Sequence, residues 1–190
     1  MAKITIFGKG NMGAAIGKNF EDAGQTVDYL DEKTPVENLG DIIILAVPYA
    51  AALEIAKQQK EKFSGKVVVD ITNPLNFATF DELVVPADSS AAAQIAAILP
   101  DSNVVKGFNT TFAATLTTKK VGTQTTTVQL AADSKDAKDE IIKSLRGSGL
   151  KVIDAGSLKR ARELEAFGFL QMTLAANEKI TWNGGFSVVE

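Results

Sequence analysis

The stretch Lys3-Ile4-Thr5-Ile6-Phe7-Gly8-Lys9-Gly10-Asn11-Met12-Gly13 decides the fold. Its first five residues form a short, β-branched, apolar run that reads as a strand. Three glycines follow at G-x-G-x-x-G spacing. From Ala14 to Ala23 the residues Ile16, Phe20 and Ala23 recur at helical intervals, with Gly24 where a C-terminal cap belongs. A glycine triplet alone is common; between a strand and a helix it has a specific use. Gly8 permits the tight turn, Gly10 lets a pyrophosphate approach the backbone, and Gly13 lets the helix pack on the strand. The first helical residues, Asn11 and Met12, would offer free amides and the positive dipole end to phosphates. Asp31 closes the next strand, Thr26 to Leu30, at the distance expected of a residue that meets an adenosine ribose.

Outward from this unit, apolar strand-like runs alternate with helical stretches. Asp41 to Val47, Lys66 to Asp70, Asn103 to Phe108, Thr125 to Ala131 and Lys151 to Asp154 read as strands. Ala50 to Phe63, Ser89 to Leu99, Lys135 to Leu145 and a long stretch from Leu158 to Ile180 read as helices, with an irregular tail or short edge strand from Trp182 to Val189. The alternation predicts an α/β, doubly wound, mostly parallel sheet of the Rossmann type. It predicts a dinucleotide-binding domain over 1–155 and, over 156–190, a C-terminal helix and tail packed on that same domain. Only Glu32 to Gly40 separate strands two and three, and they include Pro35. That is too short for a crossover helix, so the adenine side of the crevice is expected to be open.

Composition limits the chemistry. The 190 residues carry 20 Lys and Arg against 23 Asp and Glu, a net charge of −3, and so no basic field for nucleic acid or an anionic membrane. The longest apolar run, Ile42 to Leu53, is broken by Pro48 and falls short of the about 20 residues that a membrane span needs. With no signal-like N-terminus and no cysteine, a soluble, cytoplasmic protein without disulfides or a thiolate metal site is expected. Histidine is absent as well. Catalytic triads, histidine acids and histidine metal sites are excluded, and no metal is expected. A reaction that needs positioning rather than a proton relay suits this composition.

Ligands in such sheets sit beyond the strand C-termini. Besides the glycine loop, that points to Ala46-Val47-Pro48-Tyr49 after strand three and to Ile71-Thr72-Asn73-Pro74 after strand four, although proline at a strand end is also ordinary turn chemistry. Asp31 would accept from a ribose hydroxyl and repel a 2′-phosphate, which favours NAD(H). Lys33 and Thr34, which follow Glu32, could instead cradle that phosphate with Asp31 turned aside. A charged surface loop with no ligand role for Asp31 and Glu32 remains the plain alternative.

The segments ITIFGKGNMG, DIIILAVPYAA, VVVDITNPL, VVKGFNTTFA, DAGSLKRARELEAFGF and TWNGGFSVV span nearly the whole chain. In order and spacing they resemble the NADP reductases that use the deazaflavin coenzyme F420, especially short bacterial members. The resemblance implies a homodimer that passes hydride between NADP(H) and a flavin-like ring, flavin or deazaflavin, with the nicotinamide near Val47-Pro48, Asn73-Pro74 and Phe108-Asn109-Thr110. Two departures stand out: Asp31-Glu32-Lys33 replaces a small or hydroxyl residue followed by a basic one, and Asn109 stands where deazaflavin-using relatives carry histidine. Asn109 is the one candidate at the reacting ring; no catalytic residue is otherwise named. Two other readings stay open, a non-catalytic dinucleotide-binding redox sensor and an imine or carbonyl reductase. The sensor could cover the space over the nicotinamide, and the reductase would need a proton donor.

The last helix adds one expectation. Lys159, Arg160 and Arg162 crowd its N-terminal turns against the macrodipole. The apolar residues from Leu164 to Leu174 spread too widely for one wet face, which predicts extensive burial, part of it at a dimer interface.

Overall fold

Ile42, Ile43, Ile44 and Leu45 are all fully buried, so their strand must be covered on both faces. The computed structural model, which describes residues 1–31 and 33–189, shows how. Ile42 and Ile44 join Ile4, Ile6, Val67, Val69 and Val105 in one core, together with Ile16, Phe20, Leu116 and Ile141 from helices. Ile43 and Leu45 join Phe7, Val68 and Val104 in a second core, with Ala52, Phe63, Ile95 and Ala161. Alternate residues of each strand thus enter opposite layers, as the period of two requires.

In chain order the elements are β1 (Lys3–Phe7), α1 (Asn11–Asp22), β2 (Thr26–Leu30), β3 (Ile42–Leu45), α2 (Tyr49–Phe63), β4 (Val67–Asp70), α3 (Ala91–Ile98) and β5 (Asn103–Lys106). Then come α4 (Ala113–Thr118), β6 (Lys120–Val121), β7 (Gln124–Thr125), β8 (Thr127–Ala131), α5 (Lys135–Ser144), β9 (Lys151–Gly156), a 3-10 turn at Leu158–Arg160 and α6 (Ala161–Ala176). The main sheet runs β2-β1-β3-β4-β5-β8-β9. Its first five strands are mutually parallel, with Phe7, Leu30, Leu45, Asp70 and Lys106 in register at their C-terminal ends. β1 feeds β2 on one side while β3 lies on the other, so the reversal of strand order opens a crevice above β1 and β3.

Several boundaries differ from the sequence-based expectation, each for a local reason. β8 pairs antiparallel with β5, and the run expected as one strand from Thr125 is divided. Its start closes a β6–β7 hairpin across Gly122, at φ 59°, and β8 begins at Thr127. The short α4 gave no periodic signal because six residues hold under two turns. The last helix is shorter than Leu158 to Ile180: it opens as a 3-10 turn and ends at Ala176, with Glu178 in the left-handed region. The segment between β2 and β3 carries no helix among its described residues. There Gly40 lies so close to β1 that a Cβ would overlap the Lys3 carbonyl. Among the described residues no helix is long and apolar enough to cross a membrane.

Candidate functional site

The crevice is built first by two glycines. Gly8 sits at φ 108°, and a Cβ there would run into the Ala46 carbonyl at the end of β3. A Cβ on Gly13 would strike the Gly8 carbonyl, so α1 can start this close to β1 only as glycine. Gly10 is different. Its φ is an ordinary −71°, and nothing lies within 4 Å of a Cβ built on it. It is the N-cap of α1, with no side-chain cap and no acidic residue in the first turn. The amides of that turn therefore face a free space suited to an anion, so the loop fits a pyrophosphate by shape as well as by pattern.

From this loop a cleft of about 570 Å³ extends across the ends of β3, β4 and β5. It brings together eleven of the residues singled out from sequence: Gly10, Asn11, Met12, Ala46, Val47, Pro48, Tyr49, Ile71, Thr72, Asn73 and Asn109. Gly8 and Gly13 lie behind it as packing residues, and Pro74 is buried outside the lining. Asp31, Lys33 and Thr34 form a separate cluster beyond β2, and Glu32 lies outside the described residues.

In that cluster the Asp31 carboxylate accepts from the Thr34 hydroxyl at 2.6 Å, from the Lys33 amide at 3.1 Å and from the Lys9 ammonium at 3.0 Å. These bonds, that to Thr34 foremost, lower its pKa from 3.8 to about 2. Asp31 is thus a fixed anion that organises its own loop, with the ammonium of Lys9 beside it. Sequence reading passed over Lys9, which stands between two glycines of the loop.

The floor of the cleft is polar and tightly bonded. Asn73 donates to the Asn109 carbonyl at 2.9 Å, and Asn109 donates back to Asn73 Oδ1 at 2.9 Å and to the Leu164 carbonyl at 2.8 Å. Asn109 is 3% exposed, and its Oδ1, like Thr72 Oγ1, has no hydrogen-bond partner among the described residues. Phe108, just before it, is held at φ 62°, a costly conformation for an aromatic residue. Gly168 of α6 presses on this pair, for a Cβ there would lie 2.8 Å from the Asn109 carbonyl oxygen.

The walls are apolar: Ile71, Phe112 and Met172, with Phe77 and Trp182 half-exposed at the rim. Trp182 packs on Phe112 at 5.0 Å between ring centres. The tail folds back along α6, where Phe186 meets Phe167 at 4.9 Å and its amide donates to Gln171. Among the described residues no Asp, Glu, Lys, Arg or His lines the cleft. The one titratable lining group among them is Tyr49, whose hydroxyl donates to Gln94 at 2.6 Å. Burial, then the negative charges of Glu165 and Asp70, raise its pKa.

Those two carboxylates belong to a buried ionic cluster beneath the floor. Lys106 Nζ lies 2.8 Å from Asp70 Oδ2 and 2.8 Å from Glu165 Oε1, and all three side chains are at most 1% exposed. Burial pushes the Glu165 carboxyl up, against the opposing pull of Lys106.

Comparison with known proteins follows the same lines. Residues 31–74 match the family described as "NADP oxidoreductase coenzyme F420-dependent". The F420-dependent NADP reductase of Methanothermobacter marburgensis is 30% identical over 156 residues, 78% of this chain and 68% of that one. The chain belongs to the F420-dependent NADP oxidoreductase family. The family's reductase from Methanocaldococcus jannaschii is 33% identical over 130 residues, and the match spans 67% of this chain but only 58% of that protein. Across the whole length, this family member superimposes on the crystal structure of a proposed F420-dependent NADP reductase from Arthrobacter sp. FB24, with TM-score 0.85 and 22% identity, which bears on the fold alone.

Sequence reading missed, in this family member, Phe77, Phe112, Met172 and Trp182 of the cleft and the whole ionic cluster. The apolar residues carry no spacing signature, since they come from four separate segments. The ionic cluster did leave a trace: a lysine ends the apolar run Asn-Val-Val-Lys, in register with an aspartate that ends Val-Val-Val-Asp.

Proposed function

We propose that this protein binds NADP(H) along the C-terminal ends of β1 to β5 and passes hydride between the nicotinamide and a planar, flavin-like ring, coenzyme F420 or a free flavin. The observation that carries this is the cleft. It begins at the open backbone over Gly10, ends on the Asn73–Asn109 floor, and offers apolar walls and an aromatic rim without a charged side chain. The dinucleotide would supply the hydride donor or acceptor; the chain's residues do the rest. Gly8, Gly10, Asn11, Met12 and Gly13 shape the phosphate turn. Ala46, Val47, Pro48 and Tyr49 form the wall beside it, and Asn73 and Asn109, backed by Pro74, fix the height of the ring. Met172, Phe112 and Trp182 exclude water from the ring faces. Hydride transfer between stacked rings needs this positioning; the proton that joins the flavin-like ring on its reduction, or leaves it on oxidation, would exchange with solvent at the open cleft, since Tyr49, the one titratable lining group among the described residues, is already bonded to Gln94.

NADP(H) is favoured over NAD(H) because the Asp31 carboxylate is already engaged by the Thr34 hydroxyl, the Lys33 amide and the Lys9 ammonium, so it is not free to take a ribose hydroxyl, and a 2′-phosphate at this cluster would compete with Asp31 for Lys9. The open cleft over Asn73 argues against a sensor that covers its dinucleotide, and the engaged Tyr49 argues against an imine or carbonyl reductase. Residues 1–155 would act as the binding unit, with 156–190 packed on it to back the floor through Gly168 and to complete the walls through Met172 and Trp182. Leu170 and Val189, 51% and 69% exposed, suit burial in a homodimer.

Calorimetry with NADPH and NADH, side by side, tests the cofactor, and NADPH oxidation with F420 or FMN tests the transfer. Micromolar NADPH binding with weaker NADH binding and turnover of either ring is expected. Binding without turnover would leave the sensor; no binding of either dinucleotide would end both readings.

A further inference from the structure

The three protons of the Lys106 ammonium are all spent: on Asp70, on Glu165, and on the carbonyl oxygen of Thr72. Asp70 in turn takes the Thr72 amide at 2.9 Å, so Thr72, just after β4, is held at both its backbone groups. Glu165 takes the amides of Ala91 at 2.8 Å and Ala92 at 3.2 Å, which ties α6 to the start of α3. A buried cluster of two carboxylates and one ammonium is an expensive way to hold a sheet to a helix, and apolar packing would do that at least as well. What apolar packing would not do is fix direction. Glu165, Gly168 and Met172 share one face of α6. Gly168 abuts the Asn73–Asn109 pair, and Met172 lines the cleft.

We propose that Lys106 is a positioning residue: through Asp70, Glu165 and the Thr72 carbonyl it fixes the Thr72–Asn73 turn and α6 to one another as the floor on which the reacting ring lies. That floor is the one assigned above, so the turnover readout rests on the proposed function; the structural readout does not.

The test uses the full chain as Lys106→Met and as Glu165→Gln. The first readout is amide hydrogen exchange without ligand. Exchange at Thr72, Asn73 and the middle of α6 should rise about tenfold or more, while the β1–α1 unit stays at the wild-type rate. NADPH affinity should stay within about threefold of wild type, because the phosphate turn is untouched. The rate of NADPH oxidation with F420 or FMN should fall by on the order of 10²-fold, the cost of roughly 1 Å of misplacement.

A pH series separates charge from packing. In Lys106→Met the Glu165 carboxylate on α6 faces Asp70 of β4, Tyr49 of α2 and the α3 amides without a cation, so burial, no longer opposed by Lys106, holds its pKa further above the ordinary 4.5. A group raised in the folded state stabilises below its unfolded pKa and loses that contribution as pH rises through the folded one. The melting temperature of this variant should therefore fall as pH rises above 4.5, more steeply than that of wild type, and the added Glu165→Gln change should flatten the decline. If Lys106→Met does not fold, Glu165→Gln decides by exchange and turnover. Folded variants with wild-type exchange at Thr72, Asn73 and α6 would overturn the proposal, as would turnover lost only in proportion to NADPH affinity. If wild type oxidises NADPH with neither ring, the functional reading fails and the exchange pattern alone decides the role of Lys106.

Discussion

Replacing Gly168 with alanine puts one methyl group between α6 and the floor of the cleft. The new Cβ would stand 2.8 Å from the Asn109 carbonyl oxygen and 2.9 Å from Asn73 Cγ, and would overlap Asn73 Oδ1. Ordinary contact between heavy atoms is about 3.5–4.0 Å, so α6 or the Asn pair must give way by roughly 1 Å. Two effects on stability oppose each other. Alanine in a helix interior is favoured over glycine by about 1 kcal/mol. Overpacking costs about 1–3 kcal/mol, and straining the reciprocal Asn73–Asn109 bonds adds about 0.5–1.5 kcal/mol each. The net is a loss on the order of 2 kcal/mol, or about 4–8 °C in melting temperature for a domain of this size. The catalytic effect is expected to be larger in proportion: a shift of about 1 Å at the ring costs on the order of 10²-fold in rate, with NADPH binding at the phosphate end little changed. Thermal unfolding, calorimetry with NADPH and the rate of NADPH oxidation with F420 or FMN read the three quantities separately. A Gly168→Ala protein with wild-type or higher stability and undiminished rate would show that α6 does not set the floor.

Gly8 and Gly10 should part company. Gly8→Ala meets both a left-handed φ and the Ala46 carbonyl and should cost about 3 kcal/mol of stability, seen in denaturant melts. Gly10→Ala should leave stability within about 0.5 kcal/mol and weaken NADPH binding about tenfold, because only a bound phosphate would feel the methyl group. Trp182→Ala, at a half-exposed rim position, should melt near wild type yet raise the KM for the flavin-like ring several-fold, the loss of one aromatic contact of about 1 kcal/mol. Asp31 has a depressed pKa, so its hold on Thr34 and Lys33 is complete above 3.8 and is lost as pH falls through about 2. NADPH affinity should therefore show no Asp31 titration from neutral pH down to about pH 5, and Asp31→Asn should move preference further toward NADPH over NADH in competition calorimetry.

The first half of the fold was legible because each strand there carries its burial in its letters. Ile42 to Leu45 and Val67 to Val69 are unbroken apolar runs, and only a strand covered on both faces calls for that. The absence of a helix after β2 was legible for a different reason, since a crossover helix does not fit between Glu32 and Gly40. Past β5 the signal weakens. α4 is too short to show a period, and nothing in Thr127 to Ala131 says that β8 runs antiparallel to β5, because a buried strand has the same composition in either direction.

The candidate site divides along the same line, which explains where its chemistry could hide. Residues on strand-end turns are legible because the turn geometry itself demands them: Gly8 and Gly13 are forced by the closeness of the backbones they separate. The floor and its backing are not, because they depend on pairings between segments far apart in sequence, Asn73 with Asn109, Gly168 with both, and Lys106 with Asp70 and Glu165. Each of these residues alone has a bland reading. Together they form a fixed wall of polar bonds beneath an uncharged pocket, and they put every formal charge of the region under the floor rather than in it. A site laid out in that way can hold two rings at a set height while solvent, rather than a side chain, exchanges the proton that accompanies reduction of the flavin-like ring, which is the requirement that a chain without histidine or cysteine must meet if it is to move hydride.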